Sequence, residues 1–475
     1  MRSSYLLVFA SLLALVAAAA GQTQPSSRPN IVLFYVDDLG WTDVACFGSG
    51  FYETPNVDKL AQSGMRLRSA YSNGPNCAPS RASLMSGQYT PRHGVFTVGT
   101  SARGNVKMRR LTPIANRTVL DDGVVTVAES LQKAGYRTAT MGKWHLGPDP
   151  KTQGFDVNVG GNKSGSPRGG YFSPYKNPQL SNGPEGEYLT DRLTTEAVKF
   201  INEAKDGQPF FLYLTHYAVH TPIQAKADLT KKFQDKPPAG GHRNARYAAM
   251  IASMDESLGR VLAALDEKKL ADRTVVIFYS DNGGHGSVTN AKPLRGAKGT
   301  LFEGGIRVPM IVRWPGNVGA ASTSDVPVIG TDLYPTFLEL SGASRPSQIL
   351  DGESLVPVWT GRGKLKRDAI YWHFPAYLQG RFEGDGFRTR PGGVIRSGRF
   401  KLIEYFEDGR KLLFDLEADA GEKTDLASGM PEKTSELHGK LAAWRESVAA
   451  PVPTKKNPAF DPNAKPRQRR RRRGG

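Results

Sequence analysis

Four stretches of this chain, residues 31–36, 210–215, 275–280 and 308–312, are almost continuously apolar. A strand reads this way when both its faces are covered, as in a parallel sheet between helices. Residues 136–141 form a shorter candidate. Helical patterns separate the runs: 125–133, stopped by Gly135; 190–203; and 245–268, where Met250, Met254, Leu258 and Val261 recur at helical spacing. That stripe is core packing rather than a cofactor contact. Strands alternating with helices predict the α/β class, with a large, mostly parallel central sheet flanked by helices.

A chain of 475 residues exceeds the ~250–300 at which one core usually splits. The pattern changes near 342–351. Residues 396–405 and 411–416 alternate or run apolar around the turn Glu407-Asp408-Gly409-Arg410, a hairpin signal, and 431–448 reads as a closing amphipathic helix. The expectation is a large α/β domain at 28–345 and a smaller antiparallel sheet with a packed helix at 350–450. No internal repeat is visible. The stretch 160–186, rich in Gly, Pro, Ser and Asn, reads as a long loop of the kind that serves a site.

The two ends are set apart. Arg2, the apolar run 5–16 and the small residues 17–20 follow the order of a secretory signal peptide, placed at residues 1–21. The run is shorter than the ~20 residues of a spanning helix, and no other segment is apolar enough. The protein is expected to be exported without a transmembrane segment: periplasmic or secreted, or lumenal or lysosomal in a eukaryote. The net charge is +18. One of those charges, Arg2, sits in the leader, and seven, Lys465, Arg467 and Arg469 to Arg473, sit at the end of the tail, which leaves +10 on the rest of the chain. The tail, 451–475, is expected to be disordered and able to contact polyanions. A basic body suits anionic partners without choosing among them.

Several polar residues fall where strands end, which is where open α/β sheets build sites. Asp37 and Asp38 end the first run; Asp281 and Asn282 follow the third. Adjacent buried acids are costly unless they pair or bind a cation. Taken alone, Asp37-Asp38 also fits a helix N-cap or turn. An oxygen-only set suits Ca²⁺ or Mg²⁺ and argues against a Cys/His zinc site. Lys143 and His145 follow the run 136–141, His220 follows 210–215, and Lys298 precedes Glu303-Gly304-Gly305. Together these cations and imidazoles suit the holding of an anion and the movement of protons. His93, His285, Arg295, His373 and His216 are secondary candidates, each equally readable as structural. Asn116-Arg117-Thr118 and Asn162-Lys163-Ser164 match the glycosylation pattern of a eukaryotic secretory route.

Only two cysteines are present, so a disulfide scaffold is excluded; Cys46 and Cys77 either pair or remain a lone thiol and a special residue. Cys77 opens Cys77-Ala78-Pro79-Ser80-Arg81-Ala82-Ser83-Leu84-Met85-Ser86-Gly87. Read blandly, it is a buried structural cysteine. The run resembles the signature of the sulfatase family, with Ser86 where the family has Thr. Asp37-Asp38, the 142–147 block Gly-Lys-Trp-His-Leu-Gly, His220-Thr221-Pro222, Asp281-Asn282-Gly283 and the 298–305 block resemble that family's other blocks, in its order.

The resemblance implies an alkaline-phosphatase-like fold, with catalysis in the domain 28–345. It implies that a maturation enzyme oxidises Cys77 to formylglycine, an aldehyde whose hydrate is the nucleophile. Asp37, Asp38, Asp281 and Asn282, with modified Cys77, would bind one divalent cation, usually Ca²⁺, with Mg²⁺ as the other candidate. Arg81 would hold the hydrate, backed by the helix N-terminus. Lys143 and Lys298 would grip the sulfate, His145 would assist proton transfer at the hydrate, and His220, alone or with Lys298, would serve the leaving oxygen. A geminal diol suits the chemistry, since one hydroxyl attacks sulfur and the other expels sulfate as the aldehyde reforms. The expected activity is sulfate ester hydrolysis, with a sulfated sugar or glycan preferred and aryl sulfates as artificial substrates. The alternatives are a phosphomonoester, phosphodiester or phosphonate hydrolase on the same scaffold, and a secreted polyanion-binding protein that works through its tail.

Overall fold

The centre of the molecule is an eight-stranded sheet in a computed structural model that describes residues 28–383 and 385–466. The expected leader and the polyarginine run lie outside the described residues. In spatial order the strands are Val157–Val159, Arg137–Gly142, Phe210–Thr215, Asn30–Val36, Thr274–Ser280, Met310–Arg313, Met65–Leu67 and Ser322–Ser324. The five from Val157–Val159 to Thr274–Ser280 are parallel. Met310–Arg313 runs antiparallel to both its neighbours. The apolar runs are the central strands, as expected; every residue of Asn30–Val36, Phe210–Thr215 and Thr274–Ser280 is buried.

Two cores cover the two faces, and strand alternation assigns residues to each. Val32, Phe34 and Val36 pack with Met250, Met254, Leu258 and Val261 of the helix Ala245–Glu267, so the methionine stripe is indeed core. Ile31, Leu33 and Tyr35 pack on the other face with Ala78 and Ala82 of the helix Cys77–Ser86 and with Leu333 and Phe337 of the helix Leu333–Ser341. Among the described residues, no helix is long and apolar enough to cross a membrane.

The C-terminal part is a four-stranded antiparallel sheet, Ala369–Phe374, Gly392–Ser397, Phe400–Tyr405 and Lys411–Asp415. The helix Pro431–Ser447 buries Leu437, Leu441 and Trp444 against it. The single strand expected at 396–405 is two. Ser397 pairs with Phe400 across a two-residue turn whose first member, Gly398, has φ +55°. Glycine at that position reverses a hairpin without interrupting the apolar alternation. A further hairpin, Leu378–Phe382 with Asp385–Thr389, was not anticipated. The tail also departs from expectation. Over 451–466 it is tied down, with Thr112 N–H donating to the Lys455 carbonyl at 2.8 Å and Asn457 N–H donating to the Arg110 carbonyl at 2.9 Å. Disorder expected from like charge does not hold for this segment.

A buried ion cluster joins the two parts. Lys401 Nζ lies 2.9 Å from Glu303 Oε1 and 2.8 Å from Glu422 Oε1, all three side chains fully enclosed. Tyr71 donates to Glu303 Oε2 at 2.7 Å, and Glu303 N–H donates to Glu422 Oε2. Burial, partly offset by Lys401 and reinforced by Glu303, pushes the Glu422 carboxyl up to about 7. One ammonium thus compensates two carboxylates. Replacement Lys401→Met strands them, and the expected loss is about 3–5 kcal/mol of unfolding free energy. Urea denaturation at neutral pH measures it, and a change below about 1 kcal/mol would show the cluster to be structurally idle.

Candidate active site

Strand register brings the site together. Val36 is level with Ser280 and Gly142 with Thr215, so Asp37, Asp281, Lys143 and His216 leave the sheet at one edge. Backbone bonds fix the exits: Asp281 N–H donates to Val36 O at 3.1 Å, Asp37 N–H to Ala218 O at 2.9 Å and Lys143 N–H to Thr215 O at 2.7 Å. Asp38 and His145 both take left-handed φ, +60° and +66°. Such backbone costs roughly 1–3 kcal/mol per residue and persists where surroundings over-determine it. Here Asp38 N–H donates to Asp281 Oδ1 at 3.1 Å, and His145 N–H to Asn162 O at 2.9 Å.

Cys77 is the first residue of Cys77–Ser86 and is 2% exposed. Its Sγ lies 3.3 Å from Lys298 Nζ and 3.9 Å from Asp38 Oδ1. Ser86 closes the helix, donating to Ala82 O at 2.7 Å and accepting from Gln88 N–H. Threonine supplies the same hydroxyl, so the departure at this position is mild. One turn in from Cys77, Arg81 is wholly buried. The expectation set its guanidinium on the Cys77 hydrate. Beside the unmodified thiol its bonds run to Asp281 Oδ2, from Nε at 3.0 Å and Nη2 at 2.8 Å, and to the Lys143 carbonyl from Nη1 at 2.8 Å. Arg81 therefore orients Asp281 and the strand end carrying Lys143.

The acids and cations interlock. Lys143 Nζ is 2.6 Å from Asp37 Oδ2, and Lys298 Nζ is 2.5 Å from Asp38 Oδ1. Asn282 donates its amide to Asp38 Oδ1 at 2.8 Å. Three oxygens of this set, Asp37 Oδ1, Asp38 Oδ2 and Asn282 Oδ1, are buried without a hydrogen-bond partner. Buried acceptors left in that state are expensive. Asp37, Asp38, Cys77 and His220 present ligand atoms within 4.8 Å of one another. The three unpartnered oxygens fit a hard divalent cation, with the Cys77 sulfur and a His220 nitrogen beside the two carboxylates.

Burial raises the Asp37 carboxyl well above its usual range, with Asp281 adding and Lys143 opposing. Burial also acts on Asp38, but Lys298 and His220 outweigh it and hold that carboxyl low. Lys298 loses charge stability to burial and regains more from Asp38 and its neighbours, so it stays an ammonium. Burial pushes the Cys77 thiol up to about 12 against Lys143 and Lys298, and pushes the His220 imidazole down to about 3 despite Asp38. His145 is lowered by burial and by the nearby lysines and Arg81. Nδ1 of His220 sits 2.7 Å from Thr221 O, so it carries the proton, and Nε2 faces Asp38 Oδ2 at 3.7 Å.

Cys77, His145, His220 and Lys298 open onto a cleft of about 2190 Å³, and His285 lines it too. The other secondary candidates do not serve it. His93 is buried on Ser83, His216 on Ser257, and His373 on the Pro451 carbonyl. Arg295 is engaged by Glu383 and the Glu422 carbonyl. Asn162 is buried and bonded to Asn177, and Asn116 is consumed by loop bonds to residues 96–99, so neither presents a free amide for a glycan. Cys46 and Cys77 do not pair. Arg103 and Arg388 line the cleft and were not foreseen. They stand 285 positions apart in loops without local pattern, so only the fold reveals them.

A family model described as Sulfatase matches residues 29–343, and one described as N-sulphoglucosamine sulphohydrolase, C-terminal, matches 297–447. A sulfatase of Formosa agariphila is 34% identical over 92% of this chain and 92% of its own. The N-acetylgalactosamine-6-sulfatase of Canis lupus familiaris is 34% identical over 90% of this chain and 82% of its own. The crystal structure of Ps i-CgsB in complex with k-i-k-neocarrahexaose superposes with TM-score 0.75 at 30% identity, covering 90% of this chain and 94% of that one. With six motif blocks folded into one buried site and a matching model over most of its length, the chain belongs to the sulfatase family and is a sulfuric ester hydrolase.

Proposed function

We propose that this enzyme removes sulfate from sulfated glycans, with Cys77 matured to formylglycine and one Ca²⁺ held among Asp37, Asp38, Asp281, Asn282 and position 77. The observation that carries the reading is the trio of unpartnered buried oxygens beside a buried cysteine and two lysines. The N-acetylgalactosamine-6-sulfatase relative and the neocarrahexaose-bound neighbour support a sugar as the substrate. The leader sequence supports export to the periplasm or medium.

The enclosed thiol is neutral at pH 7 and a poor nucleophile, which favours a matured side chain at this position. As formylglycine, position 77 supplies a geminal diol. One hydroxyl attacks sulfur as the S–O bond to the substrate alcohol breaks and the alcohol leaves with a proton. The other hydroxyl then gives up its proton and expels sulfate as the aldehyde returns, to be rehydrated by water. The cation, when bound, neutralises the negative charge shared by nucleophile and ester. Three carboxylates (Asp37, Asp38 and Asp281) already face three cations (Lys143, Lys298 and Arg81). A divalent ion added to that balanced set makes the pocket net positive, which suits an anionic ester. Lys143 and Lys298 then turn toward the sulfate oxygens. Lys298, held as an ammonium, is the charged proton source nearest Cys77. Neutral His220 presents Nε2 to accept or relay a proton, and His145 serves the hydrate side.

Two outcomes test this reading. Turnover of 4-nitrophenyl sulfate is expected to exceed that of 4-nitrophenyl phosphate by about tenfold or more in kcat/KM, a barrier difference of about 1.4 kcal/mol. Faster phosphate turnover would assign the site to a phosphoester hydrolase. Prolonged dialysis against EGTA is expected to abolish sulfate turnover and added Ca²⁺ to restore it. Full activity in metal-free protein would remove the cation from the mechanism.

A further inference from the structure

The cleft wall beside Cys77 carries a second concentration of positive charge that hydrolysis at the buried site does not use. Arg103 and Arg388 both line the cleft, together with Arg109 and Lys292, and no Asp or Glu lines it among the described residues. Neither Arg103 nor Arg388 has a carboxylate within ion-pair distance among the described residues, although this protein pairs most of its half-buried arginines. The side-chain bonds of Arg103 reduce to one long contact, Nη1 to Val98 O at 3.4 Å. Arg388 Nη2 lies 3.3 Å from His285 Nε2, and His285 Nδ1 is 2.8 Å from Ser287 Oγ. Burial lowers both guanidinium groups; Arg388 lowers Arg103 further, while Asp38 opposes the lowering of Arg388.

The backbone is shaped to keep them there. A Cβ on Gly299, next to Lys298, would come within 2.9 Å of Arg388 Cδ; one on Gly380 would come within 2.6 Å of Arg388 Cγ. A Cβ on Gly104, next to Arg103, would strike the Phe387 ring at 2.5 Å. All three glycines have positive φ, at +90°, +140° and +83°. Three close approaches thus seat the Arg388 stem against the loop of Lys298 and draw the Arg103 loop onto the hairpin Asp385–Thr389. Two half-buried arginines on one cleft wall, with no carboxylate in ion-pair distance among the described residues, are costly, and an oxyanion bound by their guanidinium forks relieves that cost with directional bonds.

We propose that Arg103 and Arg388 form a second oxyanion subsite beside the Cys77 centre. It takes a further sulfate or carboxylate of the same substrate, so the preferred glycan carries at least two anionic groups. This rests on the glycan reading above and extends it to a polyanionic substrate.

The test is calorimetric titration of the full chain with sucrose octasulfate and, separately, with trigalacturonate, a carboxylate-only anion. The Arg103→Gln/Arg388→Gln variant is expected to bind octasulfate about tenfold or more weakly than wild type. Each single replacement is expected to weaken it several-fold, and the exposed control Lys364→Ala to stay within about twofold. Thermal melts confirm that each variant is folded, and the single variants carry the test if the double one is not. Comparable trigalacturonate binding identifies carboxylate as a ligand of the subsite, and octasulfate binding alone identifies sulfate. Octasulfate affinity unchanged in the folded variants, or an equal loss in Lys364→Ala, would overturn the proposal. Turnover of 4-nitrophenyl sulfate by the same wild-type preparation keeps the readings apart. Its absence would defeat the sulfatase reading of the centre and leave the titration to judge the subsite.

Discussion

Asp37, Asp38 and Asp281 lie enclosed against Lys143, Arg81 and Lys298 at the carboxyl edge of a parallel sheet. Enclosing such charges costs several kcal/mol each unless geometry returns it. The return comes from register: adjacent strands place Asp37 beside Asp281 and Lys143 beside the end of Phe210–Thr215 before any side chain is chosen. The left-handed backbones of Asp38 and His145 belong to the same constraint. Each turns its side chain into the cluster at an angle that a continuing strand could not provide.

Even with every ion pair made, the cluster is incomplete as a structural device, for three of its oxygens have no partner. The salt-bridge network Glu303–Lys401–Glu422 leaves one such oxygen as well, Glu422 Oε1, but sets it 2.8 Å from Lys401 Nζ, so that one ammonium serves both acids. The first gathers ligand atoms of Asp37, Asp38, Cys77 and His220 within 4.8 Å of one another. The second is sealed between the two parts of the molecule and holds their junction. The cleft then adds its own layer, a wall with Arg103 and Arg388, which meet no carboxylate among the described residues. Charge selects the substrate class at both depths, by compact lysines below and planar arginine forks above.

The central strands, the long helix and the place of the candidate site residues at strand ends were legible because burial on both faces leaves a continuous apolar run that stops at polar residues. Asp37, Lys143, His220 and Asp281 all stand just past such a stop. The turn at Gly398 was not legible, since a two-residue reversal leaves apolar alternation unbroken. Nor was the bonding of Arg81. Its place after Cys77 suggested a partner in its own helix, whereas the fold delivers Asp281 from 200 residues away. Arg103 and Arg388 share no sequence pattern, and their pairing depends on close approaches at Gly104, Gly299 and Gly380. The ordered stretch 451–466 was hidden by its composition, because its hold on residues 106–112 is made by backbone and one asparagine amide.

The whole account turns on what stands at position 77 in active enzyme. Mass spectrometry of the tryptic peptide spanning 69–81, from protein made in its own host, decides it most directly. The account predicts a peptide in which the sulfur and two hydrogens of Cys77 have been exchanged for a single oxygen, the aldehyde form of that residue. A peptide carrying only intact cysteine, recovered from protein that hydrolyses sulfate esters, would contradict it.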